Sequence, residues 1–174
     1  MKAAVFDYVR PRDVGEALSA LKGNDAKPIA GGQSLGPMLN LRLARPKLLV
    51  DVSRIQALRE IQDEGEAWRI GASVTHAELE DRPLKGCDPL ASVARAVAYR
   101  AVRNRGTVGG SLAHADPAAD WPLVFATLDA TLRVMGFGRA GPKLRGAVEE
   151  AIVALKETGR ITTDVAGFWV VADG

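Results

Sequence analysis

The sequence predicts an α+β protein with two lobes, a small α/β lobe followed by a lobe with a mainly antiparallel sheet and helices. Three observations carry that prediction. The opening fifty residues alternate strand and helix patterns in the order β-α-β-α-β, as in a small α/β lobe. From Ile55 the pattern changes to short apolar runs separated by polar turns, as in antiparallel pairs. At 174 residues, 47% hydrophobic and 25% charged, the chain has room for one ordinary domain or two small lobes sharing a core.

Taken in order, Ala3–Val9 reads as a strand that Arg10-Pro11-Arg12 ends. Asp13 is a good N-cap, and Val14, Ala17, Leu18 and Leu21 give one apolar helical face that Gly23-Asn24 closes. A short strand brings the chain to Pro28–Ala30, and Leu35, Met38, Leu39 and Arg42 then recur at helical spacing until Pro46. Lys47–Val52 reads as a buried strand. Beyond it, Leu58–Ile61 and Ala67–Ile70 read as strands around the turn Gln62–Glu66. Thr75-His76-Ala77-Glu78 is a capping box that starts a helix ending near Arg82-Pro83, and Leu90–Arg100 has a helical apolar face.

Composition excludes several functions. The net charge of +2 is scattered rather than gathered into the basic stripe of a nucleic-acid binder. No apolar run approaches the roughly 20 residues needed to span a bilayer, and charges interrupt the N-terminus before any signal-peptide core; a cytoplasmic protein is expected. Cys87 is the only cysteine, and His76 and His114 are the only histidines. No metal site is expected, and any redox chemistry must come from an organic cofactor or a partner.

Two glycine-rich stretches remain. In Lys27–Arg42 the pair Gly31-Gly32 allows a sharp turn and close ligand approach, with Ser34 as N-cap and Pro37 in the first helical turn. A glycine turn entering a helix presents free N–H groups and the positive end of the dipole to an anion. By itself it reads equally as a tight strand-to-helix connection, since it matches neither dinucleotide nor P-loop spacing. In Val102–Pro122, Gly106, Gly109 and Gly110 are interleaved with Thr107 and Ser111, and Asp116 and Asp120 follow. This is either a nest for an anion with a carboxylate suited to ribose hydroxyls, or a glycine-rich hairpin with solvated aspartates. Two such clusters, each beside a hydroxyl, favour a shared diphosphate.

These stretches carry a specific resemblance. AGGQSL followed by P-x-L-N-L-R, and later RNRGT-x-GGSLAHADPAAD-x-P, resemble the two signature motifs of the FAD-binding subunit of molybdenum hydroxylases. That family includes the medium subunit of aerobic carbon monoxide dehydrogenase and the FAD subunit of xanthine dehydrogenase. The similarity runs over residues 1 to 135 and takes in KLLVDVSRI, RIGASVTHAELE and LDATL. It implies a two-lobed FAD-binding fold, with lobes at 1–54 and 55–136. It also implies that Ala30, Gly31, Gly32, Gln33 and Ser34 form one pyrophosphate loop. Thr107, Val108, Gly109, Gly110 and Ser111 would form the other, and Asp120 would hold the ribose. Asp116 is expected to shape a turn with Pro117, while Cys87, His76 and Trp121 are expected to be structural.

The implied function is an electron-transfer flavoprotein subunit. A molybdenum-cofactor large subunit and a 2Fe-2S small subunit would feed electrons to FAD, which would pass them to an acceptor such as NAD or a quinone. No residue is expected to act as a catalytic acid or base. The alternative is a non-catalytic remnant of the fold serving as a binding or assembly module. Residues 137–174 depart from the family, whose third domain is expected to be missing. Leu144, Val148, Ala151, Ile152 and Leu155 give a helix closed by Gly159, and Arg160–Asp164 with Gly167–Val171 suggests a hairpin. This tail is expected to supply a strand to the second lobe or to cover a surface left bare.

Overall fold

The computed structural model describes residues 2–23, 25–116 and 118–135, together with the backbone of 169–173. Its class is mixed helix and strand, as expected. The first sheet is parallel and ordered β1-β3-β2, from β1 (Asp7–Val9), β2 (Ala26–Ile29) and β3 (Leu48–Asp51). α1 (Val14–Ala20) and α2 (Leu35–Asn40) are the crossovers. Asp13 caps α1 by accepting from the Glu16 N–H at 2.8 Å, and Ala17 buries the helix against Val50 and Ile55. The central strand β3 is buried at Leu49, Val50 and Asp51, which is why its sequence is a continuous apolar run closed by one charge. The first strand is shorter than Ala3–Val9, because β3 provides partners only from Leu48, opposite Asp7.

Asp51 joins the sheet to its surroundings. Its carboxylate accepts from the Tyr8 hydroxyl, from Arg10 Nε at 3.0 Å and from the Ser53 N–H at 2.9 Å. Burial pushes its pKa up, but the bonds from Ser53, Tyr8 and Arg10 outweigh burial and hold it below the usual carboxylate range.

The second sheet is antiparallel and ordered β4-β5-β7-β6, from β4 (Ile61–Asp63), β5 (Ala67–Gly71), β6 (Thr131–Arg133) and β7 (Trp169–Asp173). Helices α3 (His76–Asp81), α4 (Asp88–Ala96), α5 (Arg100–Arg103), α6 (Val108–His114) and α7 (Asp120–Thr127) accompany it. Their core contains Ile70, Val74, Leu79, Leu90, Val108, Trp121 and Phe125. The tail therefore supplies a strand, although the expected helix over 144–155 and the first half of the expected hairpin lie outside the described residues.

Two boundaries differ from expectation for local reasons. The strand expected at Leu58–Ile61 begins only at Ile61, after a 3-10 turn over Gln56–Leu58. The Leu58 carbonyl is taken by the Ser73 N–H at 2.7 Å, and Gly71 packs where a Cβ would meet that same oxygen at 2.3 Å. The helix expected over Leu90–Arg100 divides at Ala98, whose φ is +45°. Arg103, almost fully buried, donates there to the Ala98 carbonyl at 2.8 Å and the Val97 carbonyl at 3.2 Å, and pairs with Glu80 at 2.7 Å. Among the described residues no helix is long and apolar enough to cross a membrane.

Candidate functional site

The site grows out of two turns that touch. After β2, the chain turns through residues 30–34 into α2. Gly31 lies so close to the second motif that a Cβ on it would stand 1.9 Å from the Arg105 carbonyl oxygen and 2.9 Å from the Gly106 Cα. Gly32 has a φ of +68°, the left-handed region that favours glycine. Gln33 folds back to donate to the Gly31 carbonyl at 3.0 Å, and the Gly36 N–H closes the turn on the Gly32 carbonyl at 2.8 Å. Ser34 occupies the N-cap position with helical backbone, and its hydroxyl caps no amide. Among the described residues, the amides of Gly31, Gly32, Gln33, Ser34 and Leu35 therefore donate to no protein acceptor. That is a row of donors at the positive end of a short helix.

The second motif is built differently from a loop-like nest. Thr107 bridges Thr75, flanked by the His76 N–H on the Gly106 carbonyl and the Val108 N–H on the Val74 carbonyl, both at 3.0 Å. In such a pair the N–H of Thr107 itself points away from its partner. The Thr107 hydroxyl caps α6 by accepting from the Gly110 N–H at 3.1 Å, while its carbonyl accepts from the Ser111 N–H at 3.0 Å. The Gly109 N–H donates to the Ala72 carbonyl at 2.9 Å, and a Cβ on Gly109 would stand 2.4 Å from that of Ala72. The amides of Val108, Gly109, Gly110 and Ser111 are thus all occupied within the protein, and Val108 is fully buried.

Both motifs line one cleft of about 200 Å³. Ala30 and Gly31 come from the first and Asn104, Arg105 and Thr107 from the second, with Ser53, Arg59, Ser73 and Thr75 between them. Four of these residues carry hydroxyls, two are cationic and none is acidic. Arg59 is held by Glu78 at 3.0 Å, and Glu78 in turn completes the capping box with Thr75. Ser73 donates to the Val52 carbonyl at 3.1 Å, fastening the cleft's far wall to the end of β3. Hydroxyls, amides without a protein acceptor among the described residues and two cationic residues, with the one neighbouring carboxylate, Glu78, engaged by Arg59 and Thr75, suit a diphosphate, so the residues present fit an FAD cradle. Asp120 is exposed at the start of α7, outside the residues lining this cleft, and Asp116 shapes its turn by accepting from the Ala118 N–H at 2.9 Å.

Ser53, Arg59, Ser73, Thr75 and Asn104 carried no role in the sequence. Thr75 was legible only as a helix cap, and nothing in the spacing distinguishes the two serines from ordinary turn residues. Arg105 stands inside the second motif, where a charge next to glycine and threonine is the one signal available.

Behind the cleft, His76 and Trp121 are both buried. Trp121 Nε1 donates to His76 Nδ1 at 3.0 Å, and Trp121 stacks on His76 at 5.4 Å and on Phe125 at 5.5 Å. Burial, with the Arg103 charge adding, pushes the His76 pKa down to about 4 from 6.5. As pH falls below 6.5 the unfolded chain takes up a proton that the folded protein refuses. Stability conferred by the neutral ring is complete above pH 6.5 and is lost between there and pH 4, by roughly 3 kcal/mol. Thermal melts across that window should show a steeper decline for the native protein than for His76→Gln. Parallel declines would remove the histidine from the effect.

Residues 4–145 match the family model described as the FAD binding domain in molybdopterin dehydrogenase. The alpha subunit of the 6-hydroxypseudooxynicotine dehydrogenase complex of Paenarthrobacter nicotinovorans is 48% identical over 134 residues, covering 75% of this chain and 45% of the relative. The carbon monoxide dehydrogenase medium chain of Hydrogenophaga pseudoflava is 43% identical over 129 residues, covering 72% and 45%. Among solved structures, the carbon monoxide dehydrogenase of Hydrogenophaga pseudoflava superposes with a TM-score of 0.72 at 43% identity. It covers 75% of this chain and 47% of the other. Quinoline 2-oxidoreductase from Pseudomonas putida 86 gives 0.72 at 45% identity with the same coverage. The chain spans about half the length of the curated relatives it matches. With its two glycine motifs closed on one cleft and this extent of similarity, the chain belongs to the family of the FAD binding domain in molybdopterin dehydrogenase.

Proposed function

We propose that this chain is the FAD-binding part of an electron-transfer subunit of a molybdenum-containing hydroxylase or dehydrogenase. The observation that carries it is the contact of Gly31 with the Arg105–Gly106 backbone, which brings the start of a turn whose amides meet no protein acceptor among the described residues into one cleft with Thr107 and Arg105. Ala30, Gly31, Gly32, Gln33 and Ser34 would form the turn that holds one side of the diphosphate, the last four offering N–H groups that meet no protein acceptor among the described residues. On the other side, Thr107 offers its N–H, and Arg105 and Arg59 add positive charge. Val108, Gly109, Gly110 and Ser111 act mainly by fixing Thr107, because their own amides are spent in the protein. Asp120 holds the ribose. The bound flavin supplies the capacity to accept and release electrons, which no side chain here provides.

Several relatives bear names of multi-subunit enzymes, such as a complex subunit or a medium chain. By analogy the partners are a molybdenum-cofactor large subunit and an iron–sulfur small subunit, with electrons leaving to an external acceptor. The FAD-binding lobes run over 1–54 and 55–136, and the compartment is the cytoplasm. Isothermal titration with FAD, together with the visible spectrum of the loaded protein, tests the proposal. Saturable one-to-one binding with a flavin spectrum is expected, and a flat titration of folded protein overturns it. Asp120→Ala should weaken binding by about tenfold to a hundredfold, the value of one hydrogen bond with a charged partner.

A further inference from the structure

The family match ends at residue 145, yet β7, from residues 169–173, sits in the middle of the second sheet. Its backbone pairs antiparallel on both sides. Ala67–Gly71 of β5 run opposite Asp173–Trp169, and Thr131–Arg133 of β6 run opposite Val171–Trp169. β5 and β6 have no ladder with each other and belong to one sheet only through this strand. Both nonetheless contribute to one core, with Ile70 and Leu132 buried in the same cluster. The body of the fold thus presents two facing strand edges at a strand's width on each side, over a covered apolar floor. Each edge is a row of N–H and C=O groups that templates an extended segment.

β6 and β7 are adjacent in the sheet but far apart in sequence, well beyond the about 2–5 residues of a tight connection. Among the described residues, the strand meets its neighbours through two main-chain ladders, the contacts that a strand-adding peptide makes. Its sequence, Trp169-Val170-Val171-Ala172-Asp173, is rich in the residues that favour strands and ends on a charge.

We propose that the space between β5 and β6 is a strand-acceptor slot. It is filled by the chain's own residues 169–173, and it takes an extended peptide of the same sequence in exchange. Recognition is by main-chain ladders on both sides, so a proline within the peptide is not accepted. Nothing in this depends on flavin, so it stands or falls apart from the cofactor assignment.

The test uses the full chain, folded first and then cut at a protease site inserted between Gly141 and Pro142. The C-terminal fragment should remain bound through gel filtration. Excess synthetic peptide covering residues 167–174 should displace it, and the same peptide carrying Val170→Pro should compete at least about tenfold more weakly. Hydrogen exchange reports the slot directly, through protection of the Trp68 and Ile70 amides of β5, which face away from β4, and of the amides of β6. Departure of the fragment with that protection unchanged overturns the proposal, as does equal competition by the native and proline peptides.

Discussion

Gly31→Ala is expected to abolish FAD binding, raising Kd by more than about a hundredfold, equivalent to about 3 kcal/mol. The added Cβ has nowhere to go. It would lie 1.9 Å from the Arg105 carbonyl oxygen and 2.5 Å from its carbon, and both are backbone atoms, not the movable end of a side chain. Relief requires the two motifs to separate, which moves the unpaired amides of the first turn away from Thr107 and Arg105. Stability should also fall, by roughly 1–3 kcal/mol, the range for overpacking. Titration with FAD and a thermal melt of the same preparation separate the two effects. A variant that melts early but binds FAD normally would show that the contact serves folding alone. Gly36→Ala makes a suitable control, since no atom lies within 4 Å of a Cβ there.

Trp121→Ala should produce the largest loss of stability, about 3–5 kcal/mol, as for other fully buried large aromatics. The indole is 1% exposed and sandwiched between His76 and Phe125. Its removal also strips His76 Nδ1 of its donor in a buried setting, which costs about 1–3 kcal/mol by itself. Trp121→Phe is intermediate, because it keeps a stacked six-membered ring while removing the N–H and the rest of the indole. Urea denaturation of all three proteins should therefore rank native, Phe and Ala in descending midpoint. An alanine variant within about 1 kcal/mol of native would mean that the site collapses without a cavity.

The first sheet was legible almost throughout, because each of its signals is local. Asp13 announces a cap, Leu48–Val50 announces a doubly covered strand, and the glycine pair announces a turn. The capping box at Thr75 and the packing role of Trp121 were equally visible. What escaped depends on partners distant in sequence. The 3-10 turn at Leu58 exists because Ser73 claims its carbonyl, and the break at Ala98 because Arg103 reaches back to two carbonyls. The second motif misled in a more instructive way. Its glycines looked like open anion donors, but the Gly109 amide is paired with Ala72 and Gly109 itself is small so that α6 can press against β5's exit. Composition alone does not separate a glycine that admits a ligand from one that admits a neighbouring backbone.

The Trp121–His76 bond fixes more than packing. An indole nitrogen only donates, so Nδ1 of His76 is the lone-pair nitrogen and the ring's single proton resides on Nε2. That nitrogen faces Gly106, where a Cβ would come within 2.9 Å of it. The imidazole is therefore held as one tautomer, and its two nitrogens should give well-separated 15N chemical shifts that stay constant from neutral pH down to about 5. Acid then acts as a chemical wedge: a second proton would set one N–H against another, and the two rings would have to part.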